Sequence, residues 1–151
     1  MKVLIMGAGA LGSILGGFLA KAGHRVTLVG RAAHMEAIAA QGLKVTGIWG
    51  EHQITGLRTV CAPEEAAGDD YDIAFIAVKS YDTAAAVAAI SPLLSDDTLV
   101  CSYQNGLATA ETLADAVGAE RRVEAMVLFG VQVPEPGPWD VTVLARPTAP
   151  G

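Results

Sequence analysis

The stretch that decides the fold is residues 3–12, which read Val-Leu-Ile-Met-Gly-Ala-Gly-Ala-Leu-Gly. Four apolar residues run directly into three glycines with the spacing Gly-x-Gly-x-x-Gly, at Gly7, Gly9 and Gly12. An apolar helical pattern follows, and a second strand-like run begins near Arg25. This order of strand, tight turn and helix is the context in which such glycines bind the phosphates of a dinucleotide.

Each glycine of this loop has its own predicted role. Gly7 allows the tight turn out of the strand, Gly9 leaves room for a pyrophosphate beside the backbone, and Gly12 lets the helix pack closely on the sheet. The N-terminus of the helix then offers unpaired N–H groups and the positive end of its dipole to the phosphates. The predicted cofactor-binding residues of the loop are Gly7, Ala8, Gly9, Ala10, Leu11 and Gly12.

The same stretch has an alternative interpretation as a secretory signal or a membrane helix. Met1-Lys2 precede an uncharged run that extends to Ala20, and a basic start before an apolar stretch is typical of signal peptides. Gly12 and Gly16 also have the spacing of a membrane-helix dimer motif. However, several glycines disfavour one continuous helix, and Gly23 followed by a strand-like run is typical of a helix end. We therefore prefer the strand–turn–helix interpretation.

Composition narrows the class of protein. A length of 151 residues suits one domain that buries roughly 70% of its unfolded surface. The chain is 52% hydrophobic but only 5% aromatic, which favours the aliphatic core of a parallel sheet buried on both faces. The net charge is −6 with no basic cluster, so we expect no nucleic-acid or membrane partner. No later segment is long and apolar enough to span a bilayer.

The cysteines and histidines give no sign of a metal site. Cys61 and Cys101 lie in apolar, strand-like segments without metal-ligand spacing, so we expect two buried free thiols in a reducing, cytoplasmic protein. The histidines are scattered at His24, His34 and His52, which does not match the spacing of zinc ligands.

Strand and helix patterns alternate along most of the chain. The predicted strands are 2–6, 25–29, 43–46, 53–57, 59–62, 72–78, 98–103, 123–133 and 139–144. The predicted helices are 11–22, 33–41, 64–68, 83–94 (with a kink or early end at Pro92) and 107–117. The pattern predicts an α/β fold of the Rossmann-like, doubly wound type, with a mostly parallel sheet and a late antiparallel hairpin. Residues 1–145 form the predicted domain, and 146–151 have the composition of a linker.

The end of the second strand bears on which dinucleotide binds. NAD-binding members of this fold usually carry a carboxylate there, which bonds the ribose 2′-hydroxyl. Here the strand ends in Val29-Gly30-Arg31, and the next carboxylate is Glu36. An arginine at this position suits a 2′-phosphate, because its planar fork donates two hydrogen bonds. Arg31 therefore predicts NADP as the cofactor.

Together these motifs resemble the N-terminal domain of ketopantoate reductases, also called 2-dehydropantoate 2-reductases. The residues that carry the resemblance are the glycine loop at 7–12, Arg31, Val78-Lys79-Ser80-Tyr81-Asp82-Thr83 and Gln104-Asn105-Gly106-Leu107. The resemblance covers nearly the whole chain. The glycine pattern alone is weakly specific, and Lys79 with the Gln-Asn-Gly sequence makes the set more specific.

The resemblance implies NADPH-dependent reduction of 2-dehydropantoate, a small 2-oxo acid, to pantoate in pantothenate biosynthesis. It implies that Lys79 and Asn105 contact the cofactor near its ribose and nicotinamide, and that Asn105 also contacts the substrate. Both residues follow apolar strands, and open α/β sheets bind ligands at the carboxyl ends of their strands.

The family has a second, helical domain that supplies the general-acid lysine. We expect that lysine, and the domain carrying it, beyond residue 151, so no catalytic residue is assigned within this chain. Loss of such a proton donor typically slows a reaction by a factor of roughly 100 to 10,000. We also expect the face carrying Lys79 and Asn105 to favour self-association as a homodimer when it is uncovered.

Two alternative functions stay open at this point. The chain could be the cofactor domain of another NADP-dependent dehydrogenase, acting on a different 2-oxo acid or of the opine type. It could also be a stand-alone NADP-binding module with a regulatory role. The length of the native reading frame discriminates the regulatory module from the two enzymes.

Overall fold

The computed structural model of the protein describes residues 1–104, 109–125, 130–132 and 140–144. Its strands are β1 (Lys2–Met6), β2 (Arg25–Val29), β3 (Leu43–Gly47), β4 (His52–Ile54), β5 (Arg58–Val60), β6 (Ile73–Ile76), β7 (Leu99–Ser102), β8 (Arg122–Glu124), β9 (Gly130–Gln132) and β10 (Asp140–Leu144). Its α-helices are α1 (Ala10–Lys21), α2 (Ala32–Gln41), α3 (Thr83–Ile90) and α4 (Thr109–Val117). Short 3-10 turns span Pro63–Ala66, Ser80–Asp82, Ser91–Leu93 and Ala119–Arg121.

The main sheet has six strands in the order β5-β2-β1-β6-β7-β8. Every neighbouring pair in it is parallel. The chain builds outward from β1 to one edge and then crosses over to build from β6 to the other. This is the strand order of the Rossmann fold, and the point of reversal between β1 and β6 is where such sheets bind ligands. The predicted fold class is confirmed.

Both faces of the main sheet are covered, as a doubly wound sheet requires. Along β1, Val3 and Ile5 join one apolar cluster with side chains of α1 and α2. Leu4, which points to the other face, joins a second cluster with side chains of α3 and α4. Successive side chains of β1 point to opposite faces of the sheet, so this strand contributes to both halves of the core.

A second sheet has four strands in the order β4-β3-β10-β9. The predicted late hairpin is present, because β9 pairs antiparallel with β10, and β3 and β4 form an earlier antiparallel pair. The parallel pairing of β10 with β3 joins them into one sheet. Leu43, Val45 and Ile54 of this sheet pack into the cluster that covers α1. The late hairpin thus belongs to a separate sheet instead of extending the main one.

The predicted single strand over 123–133 is wrong in one respect. Residues 122–124 form β8 at the edge of the main sheet, whereas 130–132 form β9 in the second sheet. An uninterrupted apolar run does not reveal where the chain leaves one sheet for another.

The interpretation of residues 3–20 as one apolar helix is also wrong, since this stretch forms β1, a turn and α1. Gly16 serves close packing of the helix on the sheet, because an added Cβ would lie 2.5 Å from Leu28 Cδ2. Within the described ranges, no helix has the length and apolar character needed to cross a membrane.

The expectation of two buried thiols holds for only one cysteine. Cys101 is buried in β7, whereas Cys61 is exposed. Cys61 lies just beyond β5, a strand of three residues at the edge of the main sheet. Because β5 is short and lies at the edge of the sheet, Cys61, the residue after it, is left exposed.

Candidate functional site

A cleft of about 660 Å³ opens at the carboxyl ends of β1 and β6. These strands are neighbours, with Met6 opposite Ile76, and lie where the strand order reverses. One wall, here called the glycine side, is lined by Gly7, Ala8, Gly9, Ala10, Leu11, Gly30 and Arg31. The other, the lysine side, is lined by Ala77, Val78, Lys79, Ser80, Tyr81, Asp82, Tyr103 and Gln104. The glycine side and Lys79, predicted from distant parts of the chain, are thus brought together.

Gly7 is the residue at which the two walls touch. Its φ of +103° disfavours any other residue. A Cβ on Gly7 would lie 2.7 Å from both Cγ1 and the backbone N of Val78. The N–H groups of Gly7 and Ala8 both donate to Val29 O, at 3.1 and 2.8 Å. The turn is therefore held by both neighbouring strand ends, and only glycine fits there.

Gly9 differs from Gly7 in that nothing in the protein requires a glycine there. Its φ of −78° is available to every residue. Among the described residues, a Cβ on Gly9 would meet no atom within 4 Å, so it would point into open space in the cleft. The open space is what a ligand lying against the backbone needs.

The N-terminus of α1 borders the cleft next to Gly9. The first backbone bond from this helix back to the loop is Ser13 N–H to Gly9 O, at 2.9 Å. The N–H groups of Ala10, Leu11 and Gly12 precede that bond, and such groups have no partner within a helix. No acidic residue lies in the first turn, so the positive end of the helix dipole is available to an anion.

Gly12 has the packing role expected from the sequence. A Cβ there would run into the carbonyl oxygen of Gly7 and would lie 3.1 Å from Ile5 Cγ2. The close approach of α1 to β1 and to the glycine turn therefore depends on the missing side chain.

Arg31 lies at the end of β2, as predicted, and is the N-cap residue of α2. It is exposed on the glycine side of the cleft. Its carbonyl oxygen accepts from the N–H groups of His34 and Met35, at 2.9 and 3.0 Å. No carboxylate is among the residues of the glycine side, so the guanidinium is the charged group there.

Sequence analysis missed a buried pair behind Arg31. His34 is only 5% exposed and Ser13 is fully buried. Ser13 Oγ donates to Ala8 O at 3.2 Å and lies 3.2 Å from His34 Nε2. Burial lowers the pKa of His34, and the charge of Arg31 lowers that pKa further. A neutral His34 therefore links α2 to the glycine loop. In the sequence, the feature that could have pointed to His34 is its position three residues after Arg31.

Lys79 begins the loop on the lysine side, three residues after β6 ends. It is exposed, and its carbonyl oxygen accepts from Asp82 N–H at 2.9 Å. Tyr81, at the rim of the same wall, is 81% exposed. The lysine side therefore offers the cleft the ammonium group of Lys79, whose long flexible side chain can reach a phosphate or a ribose hydroxyl.

Gln104 and Thr83 hold the backbone on both sides of Lys79, and sequence analysis gave neither a role. Gln104 Nε2 donates to Val78 O at 2.6 Å and to Thr83 Oγ1 at 2.9 Å. Thr83 Oγ1 in turn donates to Ser80 O at 2.8 Å. Gln104 is 9% exposed and Thr83 is 1% exposed. The two contacts of Gln104 span 26 and 21 positions in the chain, which local patterns do not reveal.

Tyr103 is a second lining residue that sequence analysis missed. Its ring packs edge-on against Phe75, with the ring centroids 6.2 Å apart. Burial raises the pKa of the Tyr103 phenol, and the neighbouring Cys101 raises that pKa further. The phenol therefore stays neutral, and a neutral phenol can donate a hydrogen bond.

Asn105, the remaining predicted site residue, lies outside the described residues, as does Gly106. The linker-like segment 146–151 also lies outside them. In the part of the chain that the structure describes, no three His, Cys, Asp or Glu side chains are grouped to hold a metal ion.

The chain resembles known proteins over nearly its whole length. The family model described as ketopantoate reductase PanE/ApbA matches residues 3–147. A 2-dehydropantoate 2-reductase of Aquifex aeolicus is 36% identical over 145 residues, which cover 96% of this chain and 44% of that protein.

Solved structures give the same result. A PanE/ApbA family ketopantoate reductase from Ralstonia eutropha superposes with a TM-score of 0.79 at 37% identity, covering 97% of this chain and 47% of that one. A D-mandelate dehydrogenase solved with NADH and anilino(oxo)acetate superposes with a TM-score of 0.82 at 26% identity, covering 96% and 46%.

The chain spans less than half the length of these relatives. The match nevertheless includes the glycine side, Arg31, Lys79 and the Gln-Asn-Gly sequence at 104–106. By its sequence and its fold, the chain belongs to the ketopantoate reductase PanE/ApbA family.

Proposed function

We propose that this chain is the NADP(H)-binding domain of a 2-dehydropantoate 2-reductase. The observation that carries the proposal is a cleft at the switch point of the sheet, which is lined by Gly9, by the first residues of α1 and by Arg31. Arg31 and the start of α1 lie on a wall whose lining residues include no carboxylate, which suits the phosphates of a dinucleotide.

The glycine side would hold the phosphates of the cofactor. The pyrophosphate would lie over Gly9, within reach of the N–H groups of Ala10 and Leu11. Arg31 lies at the end of the next strand, where this fold binds the adenosine ribose. Its fork would donate to the 2′-phosphate, and its plane can stack on adenine.

The lysine side would hold the other end of the cofactor. The family resemblance implies that Lys79 and Asn105 contact the ribose and nicotinamide portions, and that Asn105 contacts the substrate. The exposed ammonium of Lys79 in the cleft supports its part in this assignment. The bound cofactor would supply the hydride that reduces the ketone of the 2-oxo acid.

The proton for the product hydroxyl is proposed to come from a lysine outside residues 1–151, as the resemblance implies. Two titratable groups of the lysine side support this. Tyr103 is held neutral by a raised pKa, which makes it a poor acid. Lys79 is assigned to the cofactor.

A second candidate differs in the substrate. The D-mandelate dehydrogenase that superposes on this chain was solved with NADH and an oxoacetate, so the same architecture serves a dehydrogenase with another substrate. The chain could be the cofactor domain of a dehydrogenase for a different 2-oxo acid. Turnover of 2-dehydropantoate and of other 2-oxo acids by the gene product containing these residues discriminates the two candidates.

We also infer a cytoplasmic protein that associates as a homodimer. The free thiols of Cys61 and Cys101 support a reducing compartment. The homodimer follows from the expectation that the cleft face favours self-association when it is uncovered. Sedimentation of the purified chain measures its mass, and a monomer at all concentrations would contradict the dimer.

Calorimetric titration with NADPH and NADH tests the cofactor assignment. We expect NADPH to bind more tightly than NADH. Equal or tighter binding of NADH would contradict the NADP assignment, while binding of neither would contradict the proposed function.

A further inference from the structure

We propose that Gln104 and Thr83 are positioning residues that hold the backbone of Lys79 in the geometry that binds the cofactor. The inference rests on the proposed function, in which Lys79 contacts the cofactor. It adds two buried residues that act through the backbone of Lys79: Thr83, which does not line the cleft, and Gln104, which also borders it.

Three consecutive carbonyl groups around Lys79 have fixed partners. Val78 O accepts from Gln104 Nε2 at 2.6 Å, and Ser80 O accepts from Thr83 Oγ1 at 2.8 Å. The carbonyl of Lys79 itself accepts from Asp82 N–H at 2.9 Å. The backbone from which the lysine side chain extends is therefore held on both sides.

The two positioning residues also hold each other. Gln104 Nε2 donates to Thr83 Oγ1 at 2.9 Å, so one amide group bonds both the loop and the residue that anchors its far end. Ser102 Oγ lies 3.4 Å from Gln104 Oε1 and donates to it. The carbonyl of Val78 can only accept, so it is this group that orients the amide with Nε2 toward Val78. Each polar atom of the pair is thus engaged in the arrangement.

Burial of this pair has a cost that packing alone does not require. Gln104 is 9% exposed and Thr83 is 1% exposed. Burying an amide or a hydroxyl costs free energy unless it is hydrogen-bonded, and an apolar side chain of the same size avoids that cost. The polar pair instead fixes the backbone conformation of Lys79. Only the side-chain torsions of this exposed lysine then remain free. A defined backbone reduces the ordering cost when Lys79 engages a ligand.

The pair further connects the two predicted contacts of the lysine side. Gln104 directly precedes Asn105 in the chain, and its amide bonds the residue directly before Lys79. The same side chain therefore couples the loop after β6 to the sequence after β7.

A double-mutant cycle on the protein, read out as the dissociation constant for NADPH, tests the inference. The variants are Thr83→Val, Lys79→Ala and the double variant, with Thr83→Ser as the conservative rescue. Thr83→Val removes the donor to Ser80 O at nearly constant shape. We expect this substitution to raise the dissociation constant for NADPH about two- to tenfold, because one more group must then be ordered on binding. We expect Thr83→Ser to retain most of the affinity.

Thr98→Val is the matched control for a buried hydroxyl. Thr98 is fully buried, and its Oγ1 donates to Tyr71 O at 2.8 Å, just before β7 begins and away from the cleft. Thr98→Val should lower the thermal midpoint without changing NADPH affinity. Gln104→Met repeats the test from the other member of the pair if Thr83→Val does not fold.

The cycle separates the failure of this inference from that of the proposed function. The inference predicts that Thr83→Val has no further effect once Lys79 is alanine. Equal losses in the presence and absence of Lys79 would overturn the positioning role while leaving the cofactor assignment intact. Unchanged affinity in Lys79→Ala would overturn the contact of Lys79 with the cofactor and the positioning role together.

Discussion

The two walls of the cleft are built by different means. On the glycine side, the cleft is bordered by backbone: the start of α1 and the open space at Gly9. On the lysine side, the exposed side chain of Lys79 lines the cleft, and two buried side chains hold its loop. A wall made of backbone depends on local sequence, whereas a wall made of side chains depends on contacts between distant residues. Substitutions should therefore act differently on the two walls.

The largest effect is expected at Gly9, where the glycine side has no side chain. Gly9→Val should weaken NADPH binding about 100-fold, which corresponds to ~2.8 kcal/mol. The added side chain would fill the space for the pyrophosphate, but no atom of the described residues lies within 4 Å of its Cβ, so the thermal midpoint should stay unchanged. Titration and thermal unfolding on one sample check both points. Retained affinity would show that this loop does not bind the cofactor, and a lower midpoint would reveal a structural role.

Arg31 sharpens the comparison because it is the one charged side chain on the glycine side. Arg31→Ala should reduce the free energy of NADPH binding by about 1.5–3 kcal/mol, which is typical of a hydrogen bond to a charged group. NADH lacks the 2′-phosphate, so its affinity should change little. Arg31→Lys should recover only part of the loss, since lysine lacks the planar fork. An equal loss for both dinucleotides would contradict a specific contact with the 2′-phosphate.

Gly7 and Gly9 can be compared by the same substitution. Gly7→Ala should lower the free energy of unfolding by about 1–3 kcal/mol, the cost of a strained backbone, because of its φ of +103° and the contact with Val78. Gly9→Ala, the matched control, should leave the free energy of unfolding nearly unchanged. Urea unfolding of both variants measures the difference. Similar values for the two would contradict the distinction between a glycine required by the turn and one required by the ligand.

These glycines also show why one wall was predictable from the sequence. The turn, the helix start and Arg31 lie within or next to short motifs, so their positions follow from adjacent residues. The parallel strands were predictable for a related reason, since strands buried on both faces are continuous apolar runs. Each of these features is encoded locally.

The lysine side was predictable only in part. Lys79 follows an apolar strand and was found, but its support comes from Gln104, which is 21 positions from Thr83. The second sheet was missed for the same reason, because β3 pairs with β10 almost a hundred residues later. Residues 122–124 and 130–132 separate into two sheets through pairings that no apolar pattern contains.

The smallest expected effect concerns pH and the buried link behind Arg31. Burial lowers the pKa of His34 below its usual value of 6.5, so the folded chain binds fewer protons than the unfolded chain below that pH. The contribution of His34 to the free energy of unfolding is therefore fully present above about pH 6.5. It is lost as the pH falls from there through the lower pKa that His34 has in the folded chain. His34→Gln should reduce this dependence, measured by urea unfolding between pH 5 and 8. His24→Gln is the control and should keep it; an unchanged pH dependence in His34→Gln would contradict a neutral, buried His34.

The central claim is that both walls of this one cleft bind NADPH, and a titration followed by the backbone amide signals in NMR tests it most directly. The account predicts that the largest shifts occur at Ala10 and Leu11 on the glycine side, at Arg31, and at Lys79 on the lysine side. A second, shallower cavity of about 310 Å³, lined by residues that include Lys21, His52 and Gln53, is the internal comparison and should show no shifts. Shifts confined to that second cavity, or spread evenly over the surface, would contradict the account.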